Sequence, residues 1–413
     1  MTMQQRNHNS SFVLRGTVAC LCVLLGVGLV AYGYQIRNGL GVTGMSRDVS
    51  WGLYIAQFTF LVGIAASSVL VVLPRYAHGT SDLAPLVPVG ECVSVSALVA
   101  AMTFVLVDLG RPSRVLAVIL HPAPSSLMFW DISALSVYFL LCAAVLTSSL
   151  VLPPGSHPAW LRRLALTSVP FAFGIHIVTA LLYAGLSARA GWMTAILAPK
   201  FLATAFASGS SLLLLMATIL SRTGRLHVEP SALTRLATIM TYALCATLLF
   251  SALEVFTAVY SGLPSTEQHA LHLLVPSEHA SAFTALMLVS LGLDGLALVV
   301  LLIPAVRRRP FSLTGAGVMI VLATLLEKGL IFIPSGFAPS AFGEYITYHP
   351  SIIEVLVVCG VYSGALLIFI ALLGPAIAHA REPGADQRRF LDLKGSSSAA
   401  VATVGKACAQ SSS

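Results

Sequence analysis

The chain is 413 residues long, 57% hydrophobic and only 9% charged, against roughly 25% charged in an ordinary soluble domain. That balance excludes a soluble globular protein and points to a polytopic membrane protein. The net charge of +7 would suit nucleic acid, but the basic residues alternate by loop instead of forming one patch, which is the signature of membrane topology.

Ten apolar runs, 16–36, 52–73, 86–109, 127–152, 164–186, 196–220, 236–260, 280–303, 313–333 and 351–373, are long enough to cross a ~30 Å hydrocarbon core as helices. The runs are continuous, not alternating, so helices and not a closed barrel satisfy the backbone. The expected fold is an all-α integral membrane protein, with an N-terminal arm over 1–15, a membrane domain over 16–380 and a disordered tail over 381–413. Sixteen Lys and Arg fall on the side of the termini and even-numbered connections, and six, namely Arg37, Arg47, Arg111, Arg114, Arg189 and Lys200, on the opposite side. Both termini are therefore expected in the cytoplasm of a bacterium, with the protein in its inner membrane.

The first run lacks a small-residue cleavage pattern and reads as an anchor, not a signal peptide. The outer loop that follows, with Gly39, Gly41 and Gly44, reads equally as a flexible connector or as a loop folded over a site. Trp51 and Tyr54 begin the second run, where aromatic belts are common. Its Gly63, Ala65, Ala66, Ser67 and Ser68 suit close helix packing.

The third run carries Glu91 near its inner end and Asp108 near its outer end. Between it and the fourth lie Arg111, His121 and Trp130, then Asp131 as the fourth run begins, and the fifth carries His176 near its middle. Intramembrane ionisable residues usually mark function, and a histidine among carboxylates can pass protons near neutral pH. The plainer reading pairs Asp108 with Arg111 and leaves His176 in an interhelical hydrogen bond.

Glu254, Asp294 and the adjacent Glu327 and Lys328 lie in the seventh, eighth and ninth runs. Neighbouring residues point apart on a helix, so Glu327 and Lys328 should seek partners on other spans, with Lys328 to Glu254 a plausible pair. That pair reads equally as fixed structure and as part of a proton path. Glu354 also fits a capping box with Ser351.

Six of the seven cysteines lie inside predicted spans and no Cys-x-x-Cys occurs, so neither iron–sulfur cluster nor disulfide framework is expected. Only His176 lies deep in a span, which leaves haem without paired axial ligands. No metal-ligand cluster, phosphate-binding loop or hydrolase elbow is present in the sequence.

Asp108-Leu-Gly-Arg-Pro112 closing one span, Ser126-Leu-Met-Phe-Trp-Asp131 opening the next, Gly174-Ile-His176 and Pro199-Lys-Phe201 resemble the NrfD/PsrC family of quinone-interacting membrane subunits. Glu327-Lys328-Gly329, Ile333-Pro334-Ser335-Gly336-Phe337 and Tyr348-His-Pro-Ser-Ile-Ile-Glu354 resemble its ten-span branch, which includes HybB-type hydrogenase subunits. Within that branch, 44–57 is most similar to the DsrP type associated with sulfite reductase. The resemblance implies two four-helix bundles with two flanking helices and no bound haem, iron–sulfur cluster or metal in this chain. It also implies quinone or quinol as exchangeable substrate near the outer face of the first bundle, a periplasmic ferredoxin-like iron–sulfur partner with further membrane or cytochrome subunits, and possible proton translocation.

Quinol oxidation releases two protons with two electrons, so a site needs an apolar slot, partners for both ring oxygens and a nearby base. Asp108, Asp131, His121 and His176 are the candidate partners and acceptors, Arg111 would orient them, and Tyr54 and Trp130 would wall the ring. Glu91, His176, Glu254, Asp294, Glu327, Lys328 and Glu354 are the candidate proton carriers. A secondary transporter with midplane charges, or a structural anchor for a periplasmic oxidoreductase such as a hydrogenase, are the alternatives.

Overall fold

The computed structural model describes residues 3–80, 82–153, 158–276, 282–340, 344–345 and 348–381. Among the described residues, ten helices are long and apolar enough to cross a membrane: Val13–Asn38, Leu53–His78, Ala84–Asp108, Leu127–Val151, Ala159–Ala184, Leu197–Arg222, Pro230–Tyr260, Ala282–Leu302, Pro310–Ser335 and Ile352–Ala378. They are numbered span 1 to span 10 in that order. No β-strand occurs among the described residues.

Spans 2–5 pack as one bundle and spans 6–9 as a second, joined where spans 2 and 5 meet span 6 and where span 2 meets span 9. Spans 1 and 10 pair with each other, and span 10 lies along span 3. The crossing of spans 1 and 10 is close because Gly28 faces Gly360: a Cβ on Gly28 would lie 3.1 Å from the Gly360 nitrogen, and small residues are what let membrane helices approach this way.

The helix bounds follow local chemistry. Pro230, Pro264 and Pro310 open their helices, where a missing N–H costs nothing. Gly79, at φ 68°, closes span 2 in the left-handed conformation that favours glycine. Span 1 is helical back to Met3, through the stretch expected as an arm; of the expected tail over 381–413, Arg381 ends a helix and the rest lies outside the described residues. A short helix, Pro264–Leu274, that the apolar runs do not announce lies between spans 7 and 8.

Two spans are bent where side chains take backbone carbonyls. In span 2, Ala66–Ser68 is a 3-10 turn, and the Ala65 carbonyl accepts Ser94 Oγ at 2.7 Å and Tyr138 Oη at 3.0 Å. In span 9, Glu327–Ile331 forms a π turn, a feature frequent at functional sites. There Gln57 Nε2 donates to the Gly329 carbonyl at 2.5 Å and Gln57 Oε1 accepts Tyr362 Oη at 2.6 Å, so one amide ties spans 2, 9 and 10 together.

Candidate functional site

At the predicted outer end of the first bundle, polar groups from spans 1, 2 and 3 converge. Tyr54, fully buried, donates to Gln35 Oε1 at 2.6 Å, and Gln35 Nε2 donates to the Val107 carbonyl at 2.8 Å. Asp108 follows directly, with its Oδ1 buried and without a protein donor; the Tyr32 hydroxyl is buried and unpartnered as well. A buried polar atom without a partner costs about 1–3 kcal/mol. Tyr54 is thus an interior group and not the interfacial anchor that its position at the start of a span suggests.

Deeper in the bundle, Thr179 donates to Asp131 Oδ1 at 2.5 Å. His176 Nδ1 lies 2.7 Å from the Ala172 carbonyl of its own helix, so that nitrogen carries the proton and Nε2 is left as a buried acceptor without a partner. Neither oxygen of Glu91 has an N–H or O–H donor; the Cys142 thiol lies beside them. Asp108, Asp131, His176 and Glu91 therefore share one bundle, but among the described residues no hydrogen bond links any two of them.

Three predicted ring partners are not brought to this cluster. Beyond Asp108 the chain rises through a 3-10 turn and a short helix over Pro112–Leu116 and Ala117–Leu120, carrying Arg111 and His121 to the surface. Asp108 and Arg111 form no ion pair among the described residues. Trp130 is 51% exposed, and its Nε1 donates to the Pro124 carbonyl at 2.8 Å.

Glu354 is a clamp. It accepts Ser351 N at 2.8 Å and returns its own N–H to Ser351 Oγ at 3.2 Å, the expected capping box. The same carboxylate accepts Gly44 N at 2.7 Å and Tyr348 Oη at 2.8 Å, and Tyr348 Oη accepts Leu53 N at 2.8 Å. Loop 39–52 is thereby tied to the start of span 10. Burial and the neighbouring Glu354 charge push the Tyr348 hydroxyl well above its ordinary pKa, so it stays protonated as a donor.

In the second bundle the expected pairing of Lys328 with Glu254 does not form. Lys200 takes both Glu254 and Glu327, each at 2.7 Å. Lys328, in the π turn, lies 4.0 Å over the Phe201 ring and donates to the Phe201 carbonyl at 3.3 Å. Lys200, which the loop pattern counts among the outer-side charges, is a buried first-turn residue of span 6. Asp294 is buried with Oδ1 unpartnered.

The Lys200 cluster opens into a cavity of about 700 Å³ between spans 6, 7, 8 and 9 and the helix Pro264–Leu274. His269 also lines it, with Nδ1 2.9 Å from the Ala338 carbonyl. Burial holds this imidazole below its ordinary pKa, so it is neutral near pH 7 with Nε2 as acceptor. Gly191 makes room for it: a Cβ there would overlap the ring. The sequence pattern leaves His269 as a loop histidine, because nothing local shows that its loop folds back as a helix.

Between the bundles Trp51, Tyr183, Trp192, Phe201 and Phe332 pack as one aromatic cluster, with Trp51 stacked on Trp192 at 6.1 Å and Tyr183 at 5.5 Å from Trp192. Tyr183 Oη shares a 2.7 Å hydrogen bond with Thr59 Oγ1. Trp51 accordingly belongs to this junction and not to an interfacial belt. Among the described residues no group of three or more His, Cys, Asp or Glu is placed to hold a metal ion.

Residues 41–339 match the family model described as polysulphide reductase, NrfD. The chain belongs to the NrfD family. This NrfD chain is 30% identical over 404 residues to a protein of Halobacterium salinarum named as the membrane component, C, of a putative dimethyl sulfoxide reductase, covering 87% of its own length and 90% of the relative. It is 22% identical to the C component of the selenate reductase of Mesobacillus selenatarsenatis, over 79% of this chain and 83% of that one. It is also 22% identical to an Hdr-like menaquinol oxidoreductase integral membrane subunit of Archaeoglobus fulgidus, over 82% and 87%. It is therefore a multi-pass NrfD-family membrane subunit of the oxidoreductase kind, whose relatives work in complexes with partner subunits.

Proposed function

We propose that this NrfD subunit exchanges electrons and protons with the membrane quinone pool at the predicted outer end of the first bundle, and passes the electrons to or from an iron–sulfur partner docked above it. The observation that carries this reading is the set of buried polar atoms without protein partners there: Asp108 Oδ1 and the Tyr32 hydroxyl, with His176 Nε2 deeper in. Such atoms are retained where another molecule engages them. A relative named as a menaquinol oxidoreductase subunit supports the substrate class.

In the oxidising direction a quinol loses two protons and two electrons and leaves as quinone. Asp108 and Asp131 are the bases nearest the outer end, and His176 Nε2 is a further acceptor below them. The electrons leave singly to the iron–sulfur partner. Onward proton movement would run through Glu91 in the first bundle or through Asp294 and the Lys200 cluster in the second; Glu354, fully engaged as a clamp, and Lys328, held over Phe201, are poorer carriers. Similarity of 44–57 to the DsrP type supports a role for the complex in dissimilatory sulfur metabolism.

A pure anchor would need its buried charges paired, and Asp108 and Asp294 carry buried oxygens without donors. An azido-naphthoquinone photolabel applied to the intact complex tests the proposed seat. It should mark peptides containing Tyr32 to Asn38 and Phe104 to Asp108, with marking competed by unlabelled quinone. Labelling of lipid-facing residues alone, insensitive to competition, would overturn the reading.

A further inference from the structure

We propose that the second-bundle cavity is a separate binding site for a quinol-class molecule, a dihydroxyarene with an apolar tail. It shares no residue with the seat proposed in the first bundle, and does not rest on it. Its volume of about 700 Å³ lies within the roughly 300–1,000 Å³ range of pockets that enclose small organic ligands. Such pockets are mainly apolar with a few convergent polar groups, and this one has that make-up: Leu248, Ala252, Met287 and Leu291 line it with Lys200, Glu254 and His269.

The polar groups select the head. Lys200 is shared between Glu254 and Glu327, so the cluster carries one net negative charge with every member ionised. A phosphate head would meet repulsion there. Glu254 binds Lys200 through Oε2, which leaves Oε1 free to accept, and its side chain keeps 23% exposure at the cavity. His269 offers a second acceptor, because its Nδ1 proton is committed to the Ala338 carbonyl. Two acceptors on one cavity suit a neutral molecule with two hydroxyl donors, and the half-buried Phe332 in the lining supplies apolar surface for its ring.

A tail on such a molecule would leave between spans 7 and 8. Spans 7 and 8 touch each other over only a short stretch, whereas each packs extensively on its other neighbour, and the apolar lining residues Leu248, Ala252 and Leu291 come from these two spans. A chain leaving between them enters hydrocarbon directly, as a lipid-soluble molecule requires.

The test is an anaerobic calorimetric titration with 2-undecylnaphthalene-1,4-diol, a dihydroxyarene with an apolar tail, on the full chain in its complex in phosphatidylcholine nanodiscs. The wild type should bind two equivalents per chain, and Ala252→Trp, which fills the cavity, should bind one. Met287→Trp fills it from the opposite wall and covers a failure of the first variant to fold. Glu254→Gln should weaken one class of site by about tenfold and leave the other unchanged. A single equivalent lost on Asp108→Asn and untouched by Ala252→Trp would overturn this inference and leave the first-bundle seat standing. A single equivalent lost on Ala252→Trp and untouched by Asp108→Asn would support the cavity and overturn the first-bundle reading. Displacement of the second equivalent by added phosphatidylglycerol at constant probe would assign the cavity to phospholipid instead, and overturn the proposal.

Discussion

Lys200 Nζ lies 2.7 Å from Glu327 Oε1, while Lys328, the next residue after Glu327, turns away to the Phe201 ring. Adjacent helix positions point apart, and here, at the start of the π turn over Glu327–Ile331, the acid of span 9 faces the second bundle and the base faces the junction between bundles.

Removing Lys200 alone should therefore be costly. Lys200→Met leaves two largely buried carboxylates without their cation, an effect of about 3–5 kcal/mol. Thermal unfolding in detergent should show a marked fall in midpoint, and adding Glu254→Gln and Glu327→Gln should recover most of it. A midpoint unmoved by Lys200→Met would mean that the cluster is not formed.

Glu354→Ala should free loop 39–52. The variant loses the three hydrogen bonds that the carboxylate accepts from Gly44, Tyr348 and Ser351, worth about 2–4 kcal/mol locally. Hydrogen exchange at Gly44, Ser351 and Leu53 should accelerate by about two orders of magnitude, with the midspan amides unchanged.

His269 ties stability to pH. Its folded pKa lies below its ordinary value of 6.5, so the unfolded chain binds the proton first as pH falls. Its contribution is fully present above about pH 6.5 and is lost as pH drops toward the lower folded value. Thermal midpoints should decline on acidification through that window, and His269→Gln should flatten the decline. Equal slopes in both proteins would remove His269 from the account.

Spans 1 and 10 should part when their glycine crossing is filled. Gly28→Ile cannot keep the backbone approach to Gly360, and overpacking of this kind costs about 1–3 kcal/mol. Cysteines placed across the crossing should lose disulfide yield in the variant.

Much of this architecture is legible in the chain. Every apolar run becomes a span, because run length and continuity act through the membrane itself and need no tertiary partner. The capping box of Ser351 and Glu354 is readable because it is local. Partner choice is not. Lys200 lies four residues inside the sixth apolar run, at 196–220, yet its charge groups it with the loop cations. Glu254 is taken by Lys200 and not by Lys328, and the π turn beside Lys328 accepts a hydrogen bond at Gly329 from Gln57, 272 positions away. Arg111, His121 and Trp130 follow Asp108 closely in sequence yet are exposed at the surface, which spacing along the chain does not reveal. The cavity is built from four spans and a helix that folds back, a relationship that no single stretch encodes.

The measurement that bears most directly on the account is the rate at which quinol reduces the iron–sulfur partner in the intact complex, compared between wild type and Asp108→Asn of verified fold. Loss of a positioned base should slow that step by about a hundredfold while electron transfer from an artificial donor to the partner is unchanged. Equal quinol-dependent rates in the two proteins would contradict quinone chemistry at Asp108.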